Sequence, residues 1–430
     1  MKYVENNNNH VAVILGGTVP HAELIRQLKD RGYRTVLIDY FVNPPAAAFA
    51  DVHLRDSAMD YDAVLHIAKE YHADLILSSC LDQQINVAMR AAEELGIAHP
   101  FSSETARKVT DKKMMKKIMM DNDIPTARYR LVDDKVDIAS INLNFPLIVK
   151  PADSCGSAGI YRIDTDDKEK FDAAVQKAAQ FSPTNNVLVE EYITGTEMSV
   201  HGYVEAGEAR ILFGTCKIST LAGGITMQLS NLYIPRLKDS LQTKLETIAN
   251  KIVKAFALPA YTPLFMQCIV KDDDIYVIEF SPRVAGGTSS EVARIYTGFD
   301  LISYSIDSYL GKQTTYQGRK LSKYVCCFPI YARDGIFDHI TGAEELRGDG
   351  TVHHEILLKS KGDHIEWSKP SSANVMKYLI DGDSFDECFD KLKKADAATD
   401  IIDKDGKSMR GGASPRLTHE HFLERLSELI

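Results

Sequence analysis

The sequence predicts an α/β plus α+β protein: an N-terminal doubly wound parallel-sheet domain, a central part of two α+β subdomains, and a small C-terminal α+β domain. Three observations support this. Short apolar runs alternate with helix-period segments up to about Ser103. Strand pairs separated by turn residues dominate from Leu147 to Phe280. At 430 residues the chain exceeds what one ordinary core accommodates, so two or three domains are expected.

In the first domain, Val11 to Leu15 is an apolar run followed by Gly16, Gly17 and Thr18 and then by Leu24, Ile25 and Leu28 at helical spacing. That pattern is a buried parallel strand, a tight turn and a covering helix. The unit repeats with a strand at Thr35 to Asp39, a helix at Tyr61 to Tyr71, a strand at Asp74 to Ser78, and a helix at Ile85 to Leu95 closed by Gly96. The Gly16-Gly17 turn lacks the full G-x-G-x-x-G, because His21 and Ala22 stand where the last glycine is needed. A structural or substrate-facing turn is therefore favoured, and a dehydrogenase is a remote alternative.

After Ser102 a helix at Asp111 to Asp121 ends before Pro125. Strands are expected at Leu147 to Lys150, Ile160 to Ile163, Val187 to Tyr192, Met198 to Val204, Ala209 to Thr215, Met266 to Val270 and Ile275 to Phe280. Helices intervene at Lys168 to Gln180 and Leu241 to Ala255. From about Leu321 come strands at Tyr324 to Ile330 and His354 to Leu358 and a helix at Ser384 to Lys393, capped by Asp383 or Ser384. The domains are placed at 1–105, 106–320 and 321–430, with the smaller central subdomain at roughly 126–195.

Composition excludes several classes. With 44% hydrophobic and 26% charged residues the chain is an ordinary globular one, and a net charge of -10 argues against a generic nucleic-acid binder. The cysteines are scattered, odd in number and without zinc spacing, as expected of reduced thiols in a cytoplasmic protein. Met1 to His10 is polar and no apolar run approaches ~18 residues, so neither an export signal nor a membrane span is expected.

The chemistry is carried by an ordered series. Phe145 to Lys150 reads F-P-L-I-V-K and runs into a loop of small residues that includes Ser154, Gly156 and Ser157. A cation at a strand end beside such a loop suits phosphates, since small side chains let backbone N–H groups approach the oxygens. Alone, Lys150 reads equally as a surface lysine before a hairpin turn, and no Walker loop occurs. Next, the strand from Val187 stops at Glu190-Glu191 and resumes after a turn at Glu197. Carboxylates so placed accept from an adenine amino group and from ribose hydroxyls, although an acidic hairpin is more often solvated surface. Finally, Gln267 and Glu279 interrupt two buried strands around the turn Asp272-Asp273-Asp274, and Arg283 follows. Buried polar groups are costly unless paired or metal-bound, and oxygen ligands of this kind suit Mg²⁺.

Taken in order, these residues resemble the ATP-grasp superfamily, in particular its carboxylate–amine ligases and the synthetase domains of the carbamoyl phosphate synthase large subunit. The resemblance is close from Val11 to about Leu310. It implies an ATP-grasp fold, with ATP clasped between the sheets of two α+β subdomains, and the cofactors ATP and Mg²⁺, with Mn²⁺ as an alternative metal. Lys112 of T-D-K-K, Lys150 of V-K-P and, more weakly, Lys217 would contact phosphates under a lid from Ser154 to Gly159. Glu190, the backbone of Glu191 and Ile193, and Glu197 would bind adenosine. Gln267 and Glu279 would carry the metal, with Ser281 standing where asparagine usually supplies an oxygen. Arg283 would stabilise an acyl phosphate, and Gly286 and Gly287 would help line the substrate pocket.

The implied function is an ADP-forming ligase that joins a small-molecule carboxylate to an amine or thiol. The alternatives are a bicarbonate- or carbamate-phosphorylating enzyme and a non-catalytic ATP-binding protein. Expected partners are those small molecules, with no nucleic acid and no membrane, and a homodimer is the assembly to look for.

Overall fold

Strands built from uninterrupted aliphatic residues are buried on both faces, and the first sheet follows that rule. In a computed structural model that describes residues 10–133, 136–152, 159–182, 184–222, 225–316, 318–410 and 418–430, β1 (His10–Leu15), β2 (Tyr33–Ile38), β3 (Val52–Leu54) and β4 (Leu75–Leu77) form a parallel sheet ordered β3-β2-β1-β4. Ala12, Val13, Ile14 and Leu15 are wholly buried there. The helices α1 (Val19–Asp30), α2 (Tyr61–Glu70) and α3 (Asp82–Leu95) cover it, and α3 ends as expected at Gly96, with φ 66°. In the turn after β1 Gly16 has φ 92°, and the Gly17 N–H donates to Asp39 Oδ2 at 2.7 Å.

Two helices lead out of this domain, α4 (Ser103–Thr110) and α5 (Lys112–Asp121), capped by Ser102 and Asp111. The smaller central sheet is antiparallel, ordered β5-β8-β6-β7, from β5 (Tyr129–Val132), β6 (Leu147–Pro151), β7 (Tyr161–Ile163) and β8 (Val187–Glu191). Its own core sets Leu147, Val149, Val187 and Val189 against Phe171 and Val175 of α6 (Lys168–Gln180).

The larger sheet begins with β9 (Thr196–Glu205), β10 (Glu208–Ala222) and β11 (Ile225–Ile234), followed after α7 (Asp239–Ala255) by β12 (Thr262–Lys271) and β13 (Asp274–Ser281). The C-terminal segment supplies β14 (Tyr324–Tyr331), β15 (Gly335–Thr341), β16 (His354–Leu357), β17 (His364–Ile365), β18 (Asn374–Gly382) and β19 (Asp400–Asp403). The order β13-β12-β9-β10-β11-β14-β18-β16 carries one sheet across the boundary expected near residue 320, through the pairing Leu232↔Cys326. The turn before the helix Phe385–Ala398 is capped by Ser384, which accepts from the Glu387 N–H. Among the described residues no helix is long and apolar enough to cross a membrane.

Candidate active site

A cavity of about 490 Å³ opens between the two antiparallel sheets. Its wall brings together Lys112 from α5, Lys150 from β6, Glu190 and Glu191 from β8, Ile193, Glu197 from β9, Lys217 from β10, and Gln267, Glu279, Ser281 and Arg283 from β12, β13 and the turn beyond. Gly286 and Gly287 are exposed and lie outside this wall. Ser154, Gly156 and Ser157 fall outside the described residues.

At one end stands a buried ionic triad. Lys150 and Glu190 are diagonal neighbours on adjacent strands, since Ile148 pairs with Glu190 and Lys150 with Leu188. Lys150 Nζ donates to Glu190 Oε2 at 2.7 Å, and Lys116 Nζ lies 2.8 Å from Glu190 Oε1. Lys116 also donates to Thr126 Oγ1 at 2.7 Å. Burial alone would raise the Glu190 pKa, but the two ammonium groups outweigh it and hold it at about 2. Burial is also the leading cause that pulls Lys116 below the ordinary lysine value.

Both oxygens of Glu190 lie within ion-pair distance of lysines, and each keeps a further lone pair, so the expected acceptance from an adenine amino group stands as a proposal beside the ion pairs. Lys116 was missed, although a signal existed: in a helix it sits four residues after Lys112 and so shares its face.

Beside the triad the wall is suited to a flat ring. Ile148, Met115 and Ile278 line it, and the chain leaves β8 through Tyr192 and Ile193. The Glu191 carboxylate turns away to accept from Arg128 Nη1 at 3.1 Å and from the Asn144 N–H at 2.9 Å. Its backbone N–H is taken by the Arg128 carbonyl at 3.0 Å, while among the described residues the Ile193 N–H has no acceptor. That N–H is open to a ligand edge.

Gln267 and Glu279 face one another as cross-strand partners, with a register shift just beyond them. Gln267 Nε2 donates to Glu197 Oε1, which turns the amide oxygen away from Glu197. Ser281 lies two residues along from Glu279 on the same strand, buried, with its hydroxyl bearing on Asp82. Among the described residues no three His, Cys, Asp or Glu side chains gather to hold a metal by themselves. A few oxygens open to a phosphate-sized space fit Mg²⁺ that completes its shell with nucleotide oxygens and water.

Arg283 closes the other end. Its Nε donates to Asp82 Oδ1 at 2.8 Å, its Nη2 to Asp82 Oδ2 at 2.6 Å, and its Nη1 to the Val284 carbonyl at 3.1 Å. Its carbon Cζ stands 5.2 Å from the centre of the Phe265 ring. Burial would weaken the charged form, but the Asp82 carboxylate outweighs it and holds the Arg283 pKa above its ordinary value. Asp82 is the first residue of α3 and no sequence motif marks it.

Residues 143–291 match the family model of an ATP-grasp domain, a span that holds β6 to β13. The arginine-specific carbamoyl phosphate synthase large chain of Bacillus subtilis is 25% identical over 291 residues, covering 64% of this chain and 27% of that protein. The carbamoyl phosphate synthase large chain of Thermoplasma acidophilum is 24% identical over 375 residues, covering 82% and 34%. The chain thus spans about a quarter to a third of the length of these relatives. A phosphoribosylglycinamide synthetase from Anaerococcus prevotii superposes with a TM-score of 0.73 at 21% identity, covering 92% of this chain and 100% of that one. An L-amino acid ligase from Bacillus licheniformis does so with 0.72 at 18%, covering 92% and 98%. The fold is the ATP-grasp fold, preceded by a parallel-sheet domain.

Proposed function

We propose, from the ATP-grasp fold as premise, that this chain is an ADP-forming ligase that activates a small carboxylic acid as an acyl phosphate and passes it to an amine or thiol. The observation that supports this most is the convergence of lysines, acids and an arginine, scattered from Lys112 to Arg283, on one cavity of nucleotide size.

In this scheme the adenine ring lies against Ile148 and Met115, with its edge on the Ile193 N–H, and Glu197 accepts from the ribose. Lys112, Lys150 and Lys217 neutralise the phosphates. Glu190 and Lys116 hold Lys150 in place. Gln267 and Glu279, with Ser281 at a distance, hold Mg²⁺, which when bound shields the β- and γ-phosphate charge. The substrate carboxylate oxygen attacks the γ-phosphorus in line as the bond to the ADP oxygen breaks, and Arg283 donates to the transferred group. The nucleophile then takes the acyl carbon, phosphate leaves, and the proton shed by the nucleophile passes to solvent or phosphate. Gly286 and Gly287 belong to the acceptor side, where exposed backbone is free to meet a substrate.

The test is a thermal-shift screen of Mg-ATP with amino acids and small carboxylic acids, followed by an ADP-release assay on the hits. ADP and phosphate should appear only when both an acid and a nucleophile are present. AMP and pyrophosphate would exclude the mechanism. A second reading, in which bicarbonate or carbamate is phosphorylated, is supported by glutamine rather than glutamate at Gln267 and by the carbamoyl phosphate synthase relatives. Bicarbonate-dependent ADP release without an organic acid would select it.

A further inference from the structure

Arg283 has five N–H groups, and three of them are already donated: Nε and one of Nη2 to the two Asp82 oxygens, and one of Nη1 to the Val284 carbonyl. One N–H on Nη1 and one on Nη2 remain, and no acceptor among the described residues takes them. Asp82 belongs to the parallel-sheet domain, 201 residues away in sequence, and sits at the first position of α3, where the helix favours an anion. The guanidinium is buried against Phe265 and cannot swing freely.

From this geometry we infer that Asp82 is a positioning residue: it locks one edge of Arg283 so that the two remaining N–H groups form a fixed fork for two oxygens of the phosphoryl group in transfer. The N-terminal domain thereby completes a phosphoryl site whose other parts lie in the ATP-grasp domain. The inference rests on the function proposed above, in that the anion met by the fork is a phosphoryl group. A planar fork that is already oriented loses little freedom on binding, so the partner that orients it contributes to affinity without touching the ligand. A free arginine at this place would have to give up its own rotamers first.

The probe is inorganic phosphate, titrated calorimetrically into the full-length chain saturated with MgADP. Asp82→Asn should weaken phosphate binding by about tenfold to a hundredfold, the usual cost of losing an orienting partner, while the affinity for MgADP stays within about twofold. Asp82→Glu, which keeps the charge but displaces it by one methylene, should fall in between and carries the test should the asparagine variant not fold. In an Arg283→Lys background, where no fork exists, the Asp82 changes should have no further effect on phosphate. The inference is overturned if phosphate affinity is unchanged in the Asp82 variants, if MgADP affinity falls in parallel with it, or if the unaltered MgADP complex takes up no phosphate. Failure of the unaltered chain to bind MgADP at all would instead overturn the proposed function.

Discussion

Replacing Glu190 by glutamine tests the buried triad directly. The carboxylate is only 6% exposed, so little solvent screening discounts its interactions. Its pKa falls from the ordinary 4.5 to about 2, a drop of about 2.5, which at ~1.36 kcal/mol per unit is about 3 kcal/mol in favour of the folded state. Because the folded-state value is the lower one, that stability is fully present above about pH 4.5 and is lost as pH falls towards 2. Glu190→Gln should therefore cost roughly 3 kcal/mol at neutral pH. The stretch that opens is the smaller sheet, so the assay is amide hydrogen exchange at Leu147–Pro151 and Val187–Glu191, which should speed up on the order of a hundredfold. Adding Lys116→Met should recover much of the loss, since the variant then buries one cation fewer without a partner. Exchange within a factor of two or three of the parent would refute the ion-pair account.

Lys150→Ala and Glu279→Gln should each abolish ADP release, with circular dichroism showing the fold retained; turnover at the parental rate in either variant would remove that residue from the site. Two buried histidines should set the acid side of the stability profile. Burial lowers the pKa values of His21 and His201 from 6.5 to about 3, so stability is fully present above 6.5 and is lost as pH falls towards 3, by up to about 1.4 kcal/mol per pH unit for each ring. Urea midpoints measured from pH 7 to pH 5 should show that slope, and His201→Gln should reduce it.

Much of the fold could be read from period and punctuation. The helix Lys168–Gln180 has the bounds expected, and every strand expected in the two central sheets is present, although β10 runs on to Ala222, well past the expected Thr215, and β5, β11 and β18 were not expected. What escaped did so for identifiable reasons. The helix α4 reads S-E-T-A-R-K-V-T, with too few apolar positions to show a period, and its start is set by the Ser102 cap. The strand β11 alternates from Ile225 to Leu229, but a register shift where Ile218 pairs with Ser230 and Ser219 with Gln228 breaks the pattern that identifies a strand. In the site, residues in named motifs could be placed on the cavity by their order along the chain. Asp82 could not, because it acts by pairing with a residue far away in sequence, and pairing of that kind leaves no local spacing; for Lys116 the only local trace is its place four residues after Lys112.

The charges around the cavity bear on how an acidic chain would hold the proposed triphosphate and on why that binding should depend on a metal. Against a net charge of -10, the described residues of the wall include five cations (Lys112, Lys116, Lys150, Lys217, Arg283) and five acids (Asp82, Glu190, Glu191, Glu197, Glu279), a balanced set where the chain is acidic. The acids are not equivalent: Asp82 and Glu190 orient cations and Glu191 turns to Arg128. Glu197 and Glu279 remain, and a bare triphosphate placed among the lysines has to approach them. At ~5 Å and an effective dielectric of ~20, one such repulsion amounts to about 3 kcal/mol, and partial exposure reduces it to about half. Bound Mg²⁺ turns that repulsion into attraction. Chelating the metal should therefore weaken nucleotide binding by more than about tenfold. Glu279→Gln should narrow the gap from both sides, binding metal-free ATP more tightly than the parent and Mg-ATP less tightly, as read by calorimetric titration with and without chelator. If the variant lowers both affinities equally, Glu279 does not face the metal-bearing phosphates.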